Sequence, residues 1–225
     1  MTNNIHHTRV VSGITAPLER PALQWLAART PTWTSPDMLT VIGVLGAAIT
    51  FFGYCLTQYH AGFLWLASAG LAVNWLGDSL DGTLARFRHI ERPQYGFFID
   101  HMADTVSELL IFLGLGLTPF VRFEIACLAL IGYLLLSTVV YVRTILEGIF
   151  QITFGKLGPT EARLILVLAN TSFFLTGNPE VRLPYVTTTA ADLLLMFVAV
   201  VAFVTFCVSV LQQARRLAKM SDLSR

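Results

Sequence analysis

From Met38 to Gly77 the chain runs for forty residues without an Asp, Glu, Lys or Arg. A helix rises about 1.5 Å per residue and the hydrocarbon core of a bilayer is about 30 Å thick, so this stretch must fold back once. The polar group Gln58, Tyr59 and His60 with Gly62 is the turn, which predicts one span near Met38–Leu56 and a second from Phe63 into the eighties. Further apolar runs predict a third span over Tyr95–Leu117 ending at Pro119 and a fourth over Glu124–Ile145. A short fifth covers Ala162–Thr176 before Gly177, Asn178 and Pro179, and a sixth covers Ala191–Leu211. Ahead of them, Ala16–Ala28 interleaves Leu18, Leu23, Trp25 and Leu26 with Glu19, Arg20 and Gln24, the pattern of an amphipathic helix lying in the interface. The expected fold is therefore an all-α integral membrane protein: six transmembrane helices with an amino-terminal interfacial helix. Residues 1–34 form a cytosolic amino-terminal segment and residues 35–225 the membrane domain. Met1–Arg9 has no long apolar run, so no cleavable signal peptide is expected.

Composition agrees with a bilayer environment. Of 225 residues, 55% are hydrophobic and 13% charged, against about 25% charged in an average soluble domain. The formal net charge of +1 provides no basic stripe for phosphate backbones, which argues against nucleic acid as a partner. Cys55, Cys127 and Cys207 are far apart inside apolar runs and read as small core hydrophobes. Cytoplasmic loops retain Lys and Arg. With the amino terminus inside, Arg9, Arg20, Arg29, Arg86, Arg88, Arg92, Arg143, Lys156, Arg163, Arg215, Arg216, Lys219 and Arg225 fall on the cytoplasmic side, and Arg122 and Arg182 outside. Both termini and the loop between spans two and three are then cytoplasmic. Trp25, Trp33, Trp65 and Trp75 are most simply interface anchors or packing residues.

Five of the fourteen acidic residues, Asp78, Asp81, Asp100, Asp104 and Glu108, stand within thirty-one positions at the adjoining ends of two apolar spans. Each costs about 2.5 to 3.5 kcal/mol to bury on insertion scales, so something must compensate. On a helix, Asp78 and Asp81 at i and i+3, and Asp100 and Asp104 at i and i+4, each project from one face. Two facing pairs make a four-carboxylate cage. Hard divalent cations such as Mg²⁺ or Mn²⁺ take oxygen ligands, and two of them can clamp a phosphoryl group between attacking and leaving oxygens. No His or Cys cluster supports zinc. Gly82, Ala85 and Gly96 are small enough to let a diphosphate approach the backbone, and Arg86 offers a fork of donors to phosphate oxygens. The structural alternative is simple pairing of the acids with Arg86, Arg88 and Arg92. Glu108 either pairs with a base or faces a water-filled cavity.

The string Asp78, Asp81, Gly82, Ala85, Arg86, Gly96, Asp100, Asp104 resembles the signature of the CDP-alcohol phosphotransferase family, D-x2-D-G-x2-A-R-x8 or 9-G-x3-D-x3-D, with every fixed position matched. The resemblance implies transfer of a phosphoalcohol group from a CDP-linked donor to a hydroxyl acceptor, with release of CMP at a two-metal site. It implies that Asp78, Asp81, Asp100 and Asp104 hold the metals and that Asp104 also takes the acceptor proton as general base. Gly82, Ala85 and Arg86 would line the CDP site. Ser35–Thr40 resembles the family's P-N-x-L-T segment, so Pro36 and Thr40 are expected near the diphosphate. Asp37 stands where the family has Asn, and the segment reads equally well as a helix start with Ser35 as cap.

On the acceptor side, His101 and the Gly158–Glu161 segment resemble the choline and ethanolamine phosphotransferase branch. Gly-Pro-Thr-Glu is also an ordinary helix start. Arg143 and Arg163 flank a cytosolic loop where a phosphate-bearing acceptor could bind, although the orientation rule alone explains them.

The expected function is a phospholipid-synthesis enzyme of the bacterial inner membrane that moves a phosphatidyl group from CDP-diacylglycerol to a small polar alcohol. The alternative within the family uses CDP-choline or CDP-ethanolamine with diacylglycerol. The alternative of another class is a cation transporter using the Asp cluster, which the placement of the acids at cytosolic helix ends disfavours. The partners implied are the CDP-linked donor, the hydroxyl acceptor and membrane lipids, and homodimers are common in the family.

Overall fold

A computed structural model describes residues 8–9, 14–147, 149–150, 158–182 and 187–223. The readings made for Met1–His7, Lys156 and Arg225 fall outside them. Among the described residues the chain forms seven helices: α1 (Ala16–Arg29), α2 (Pro36–Leu56), α3 (Phe63–Phe87), α4 (Pro93–Gly116), α5 (Phe123–Glu147), α6 (Pro159–Thr176) and α7 (Ala190–Leu223). Two minimal sheets accompany them. Strand β1 (Thr8–Arg9) pairs in parallel with β2 (Ile149–Phe150), and β3 (Glu180–Arg182) pairs antiparallel with β4 (Thr187–Thr189).

Proline starts α2, α4 and α6, where its fixed φ suits the first turn and its missing N–H would find no helical partner. Ser35 Oγ caps α2 by accepting from Met38 N at 3.2 Å. The turn expected at Gln58–Gly62 is present and is held by His60 Nδ1, which accepts from Gly62 N at 2.9 Å. Helix α7 continues to Leu223, beyond the expected end of the apolar run at Leu211. The added segment, with Arg215, Arg216 and Lys219, contains good helix formers and neither Gly nor Pro, so the end of apolarity is not the end of the helix.

Among the described residues, three helices are long and apolar enough to cross a membrane: Pro36–Leu56, Phe123–Leu146 and Ala190–Met220. Helices α3, α4 and α6 run 25, 24 and 18 residues, but polar side chains such as Asn74, Asp78, Asp104, Glu108 and Arg163 lower their hydropathy. Outward faces of α2 and α7 present Val41, Leu45, Phe52, Phe197, Val200 and Val204. That is the lipid-facing surface expected of an all-α membrane protein.

Helices α2 and α3 touch through their backbones. A Cβ on Gly77 would stand 2.3 Å from Gly43 N and 2.5 Å from Gly43 Cα, and one on Gly46 would stand 2.4 Å from Asn74 N. Small residues permit this approach, the usual device for packing helices in lipid, where apolar side chains gain little from leaving the bilayer. Buried polar groups add directional ties. Thr50 Oγ1 donates toward Gly46 O and Ala67 O, and Asn170 of α6 accepts from Tyr54 Oη at 3.2 Å and donates to Ser68 Oγ at 3.1 Å.

Helix α1 lies against the end of the bundle where α2, α4 and α6 begin and α3 finishes. Its Leu23 and Ala27 pack on Leu39, Leu80 and Leu84, while Leu18 and Trp25 remain exposed. Glu19 Oε1 accepts from Trp75 Nε1 at 2.8 Å, Ser79 Oγ at 3.1 Å and Thr160 Oγ1 at 3.0 Å, joining α1 to α3 and α6. The expected interfacial helix is thus docked on one face.

Replacing Gly77→Leu forces a side chain into the Gly43 backbone and is expected to cost at least about 1–3 kcal/mol. Thermal unfolding in detergent checks this, with Gly96→Ala as the control that is not destabilised, because a Cβ there meets open space and alanine favours the helix. Glu19→Ala strands an indole N–H and two hydroxyls, and a destabilisation of about 1–3 kcal/mol is expected in the same assay.

Candidate active site

Asp78 and Asp81 sit in the last three turns of α3, and Asp100 and Asp104 in the first half of α4. The two helices are joined by the short segment 88–92, so the acids of one meet those of the other. One carboxylate oxygen each from Asp78, Asp100 and Asp104 lie within 4.8 Å of one another. Asp81 lines the same pocket but is buried and engaged: Oδ2 accepts from Thr40 Oγ1 at 2.6 Å. The pocket is formed by Thr40, Gly43 and Val44 of α2, Asn74, Asp78 and Asp81 of α3, and Asp100, Ala103, Asp104 and Ser107 of α4.

Divalent cations coordinate oxygens at about 2.0–2.6 Å, which sets ligand oxygens up to roughly 5 Å apart. The three clustered carboxylates meet that requirement, and their all-oxygen donor set suits a hard cation. Asp81 stands beside them with its position set by Thr40.

A fourth helix reaches this cluster. Arg163 of α6 places Nη1 2.7 Å from Asp78 Oδ2, a contact of charges without hydrogen-bond alignment. Its Nε donates to Asn74 Oδ1 at 2.8 Å. Asn74, almost fully buried, donates in turn to Gly43 O at 2.9 Å and Ser107 Oγ at 3.2 Å. One asparagine therefore joins α2, α3, α4 and α6 directly behind the acids. Sequence reasoning passed over Asn74 and Ser107. The available signal was spacing, since Asn74, Asp78 and Asp81 fall at i, i+4 and i+7 on one helical face.

The remaining expected site residues divide by location. Pro36 opens α2 one turn before Thr40. A Cβ on Gly82 would meet Arg86 Nη1 at 3.2 Å, whereas one on Gly96 would meet open space. Arg86 is exposed and its Nη2 donates to Thr83 Oγ1 at 3.2 Å, with Ala85 half-buried beside it. Asp37, the departure from the family pattern, forms an ion pair with Arg92 that links the starts of α2 and α4. Arg88 donates to the carbonyls of Thr30, Pro31 and Thr34 at 3.0, 2.7 and 2.5 Å, fastening the α1–α2 connection.

On the acceptor side, His101 is buried between Phe97 and Tyr141, with ring centroids 4.1 and 4.5 Å away, and its Nδ1 is 3.7 Å from Asp100 Oδ2. Glu161 is buried as a tether. Oε1 accepts from Thr15 N and Oγ1 at 2.9 and 2.8 Å, and Oε2 from Gly158 N at 2.8 Å. Arg143 is exposed near the end of α5. Glu108, one turn beyond Asp104, has a buried Oε2 with no hydrogen-bond partner among the described residues.

Comparison with known proteins converges on one group. Residues 33–204 match the family model described as CDP-alcohol phosphatidyltransferase. Archaetidylinositol phosphate synthase of Pyrococcus horikoshii is 34% identical over 104 residues, covering 46% of this chain and 52% of its own length. Cholinephosphotransferase 1 of Gallus gallus is 27% identical over 164 residues, covering 68% of this chain and 47% of its own. The chain thus spans about half the length of these curated relatives. The crystal structure of Mycobacterium tuberculosis phosphatidylinositol phosphate synthase with CDP-DAG bound superposes with a TM-score of 0.53 at 26% identity, covering 88% of this chain and 92% of that one. The same enzyme was also solved in complex with manganese and citrate, with a TM-score of 0.51. A match across most of the chain, including the whole acidic string, shows that this protein belongs to the CDP-alcohol phosphatidyltransferase family of membrane-bound phospholipid-synthesis enzymes.

Proposed function

We propose that the protein transfers a phosphatidyl group from CDP-diacylglycerol to the hydroxyl of a small polar alcohol and releases CMP. The observation that carries this reading is the cluster of Asp78, Asp100 and Asp104 at the bundle end where Thr40, Arg86 and the small residues Gly82 and Gly96 also lie. The choice of donor is supported by the near end-to-end likeness to an enzyme solved with CDP-DAG, whereas the likeness to cholinephosphotransferase 1 of Gallus gallus covers 47% of that protein's length.

In this reading Asp78, Asp81, Asp100 and Asp104 hold two divalent cations, Mg²⁺ or Mn²⁺. When bound, such ions neutralise the diphosphate and favour ionisation of the acceptor hydroxyl. Thr40 keeps the Asp81 carboxylate turned into the pocket. Arg86 and the open flank at Gly96 receive the cytidine diphosphate portion, with Pro36, Gly82 and Ala85 shaping the same side. Asp104 accepts the proton of the acceptor hydroxyl as its oxygen attacks the phosphatidyl phosphorus. The new O–P bond forms, the phosphoanhydride P–O bond breaks, and CMP departs with the electron pair.

A site handling one lipid and one polar reactant must touch both phases. We place the end bearing the acids and Arg20, Arg29, Arg86, Arg88, Arg92 and Arg163 at the cytoplasmic face, with α2 to α7 as six spans and α1 lying along the interface.

The test is CMP release by detergent-purified protein with Mg²⁺. CDP-diacylglycerol is offered with a panel of polar alcohols and polyol phosphates, and CDP-choline and CDP-ethanolamine are offered with diacylglycerol. Turnover requiring CDP-diacylglycerol is expected. Turnover only with a CDP-aminoalcohol overturns the donor assignment in favour of the choline and ethanolamine branch. Asp104→Asn is expected to lower the rate by at least about 10²-fold while the protein stays folded; ordinary turnover would remove Asp104 from the proton-transfer role. Thr40→Val is expected to lower turnover less, through loss of the 2.6 Å hydrogen bond to Asp81, with the melting temperature measured alongside.

A further inference from the structure

The buried guanidinium of α6 has no place in the transfer step described above, yet it is in contact with the acidic cage. Arg163 Nη1 lies 2.7 Å from Asp78 Oδ2, and its side chain is 12% exposed. Nothing about a helix start requires an arginine to turn inward. Cations at helix amino termini are unfavourable with respect to the helix dipole, and this one stands within the first two turns of α6. Its orientation is fixed by a dedicated acceptor, Asn74 Oδ1, which is itself held by Gly43 O and Ser107 Oγ. A long, flexible cation has thus been given a single rotamer, pointing at one carboxylate of the cluster, by a network spanning four helices.

We propose that Arg163 is a permanent cationic member of the cage that sets its affinity for divalent cations, and that Asn74 is the residue that positions it. This rests on reading the cluster as a divalent-cation site. The charge argument is direct. Four carboxylates and two divalent ions sum to zero, and Arg163 makes the loaded site positive by one charge, which favours a diphosphate. The same guanidinium repels incoming cations and stands against one carboxylate oxygen of Asp78, so divalent ions bind more weakly than four unopposed carboxylates would allow. Without it, mutual repulsion among Asp78, Asp100 and Asp104 would strain the helix pair that carries them. Arg163 therefore exchanges metal affinity for stability of the unliganded cage and for affinity toward an anionic substrate.

The experiment is Mn²⁺ titration of the full detergent-purified chain, with free Mn²⁺ counted by its EPR signal and the melting temperature recorded without metal. Binding by the parent protein tests the cage reading first; absence of any Mn²⁺ binding removes that reading and this proposal with it. Arg163→Gln is then expected to tighten Mn²⁺ by at least about tenfold, because a full charge a few ångströms from the ion is removed from a low-dielectric site. Its metal-free melting temperature is expected to fall. Arg163→Lys, which keeps the charge, is expected to stay near the parent in Mn²⁺ affinity. A merely structural arginine would lower stability and metal affinity together, so unchanged or weakened Mn²⁺ binding in folded Arg163→Gln overturns the proposal. If that variant does not fold, Asn74→Ala carries the test. It removes the Nε acceptor while leaving every charge in place, and Mn²⁺ is expected to tighten a few-fold as the guanidinium yields more easily. Unchanged or weaker binding there overturns the proposal equally.

Discussion

The backbone contact between α2 and α3 is the constraint on which the remaining geometry depends. With Gly43 against Gly77 and Gly46 against Asn74, the two helices approach more closely than side chains would permit. Only at that separation can the Thr40 hydroxyl of α2 reach Asp81 of α3 at 2.6 Å, and the Asn74 amide reach the carbonyl of Gly43 at 2.9 Å. In lipid the hydrophobic effect does little to press helices together, so close van der Waals contact and buried hydrogen bonds must do it. The glycines supply the first and make the second geometrically available.

Polar side chains inside the bundle are arranged as links between helices. Asn170 joins α6 to α2 and α3 through Tyr54 and Ser68, and Asn74 joins α6 to α2, α3 and α4. Each satisfies groups that would be costly to leave unpaired in hydrocarbon. The docked helix α1 uses the same logic at its end of the bundle. Glu19 gathers donors from α3 and α6, Glu161 receives Thr15, and Arg88 closes the connection to α2. Several charges that a positive-inside count treats as interchangeable thus have individual structural duties.

The acidic cage is expensive, and its cost is met locally. Asp81 is stabilised by Thr40, and Asp78 is opposed by Arg163. The departure at Asp37 from the family's Asn is accommodated by Arg92, an exposed pair of the kind that contributes about 0–1 kcal/mol. These compensations keep a concentrated negative charge at the mouth of an apolar bundle without distorting the helices that carry it.

Apolar run length, proline and turn chemistry, and the distribution of Lys and Arg were legible along the chain, because each depends on local composition. They located α1 to α6 closely and the start of α7, and spacing singled out Asp78, Asp81, Asp100 and Asp104, of which Asp78, Asp100 and Asp104 come together in the structure. The end of α7 was missed because helix propensity outlasts apolarity. The role of Gly43, Gly46 and Gly77 was missed because a glycine in an apolar run does not say which backbone it will meet. Asn74 and Arg163 belong to different helices, 89 residues apart, and only the packing of α6 on α3 brings them to Asp78. Local chemistry can be read from sequence; which charge opposes which, across helices, is decided by the tertiary contacts that choose each side chain's partner.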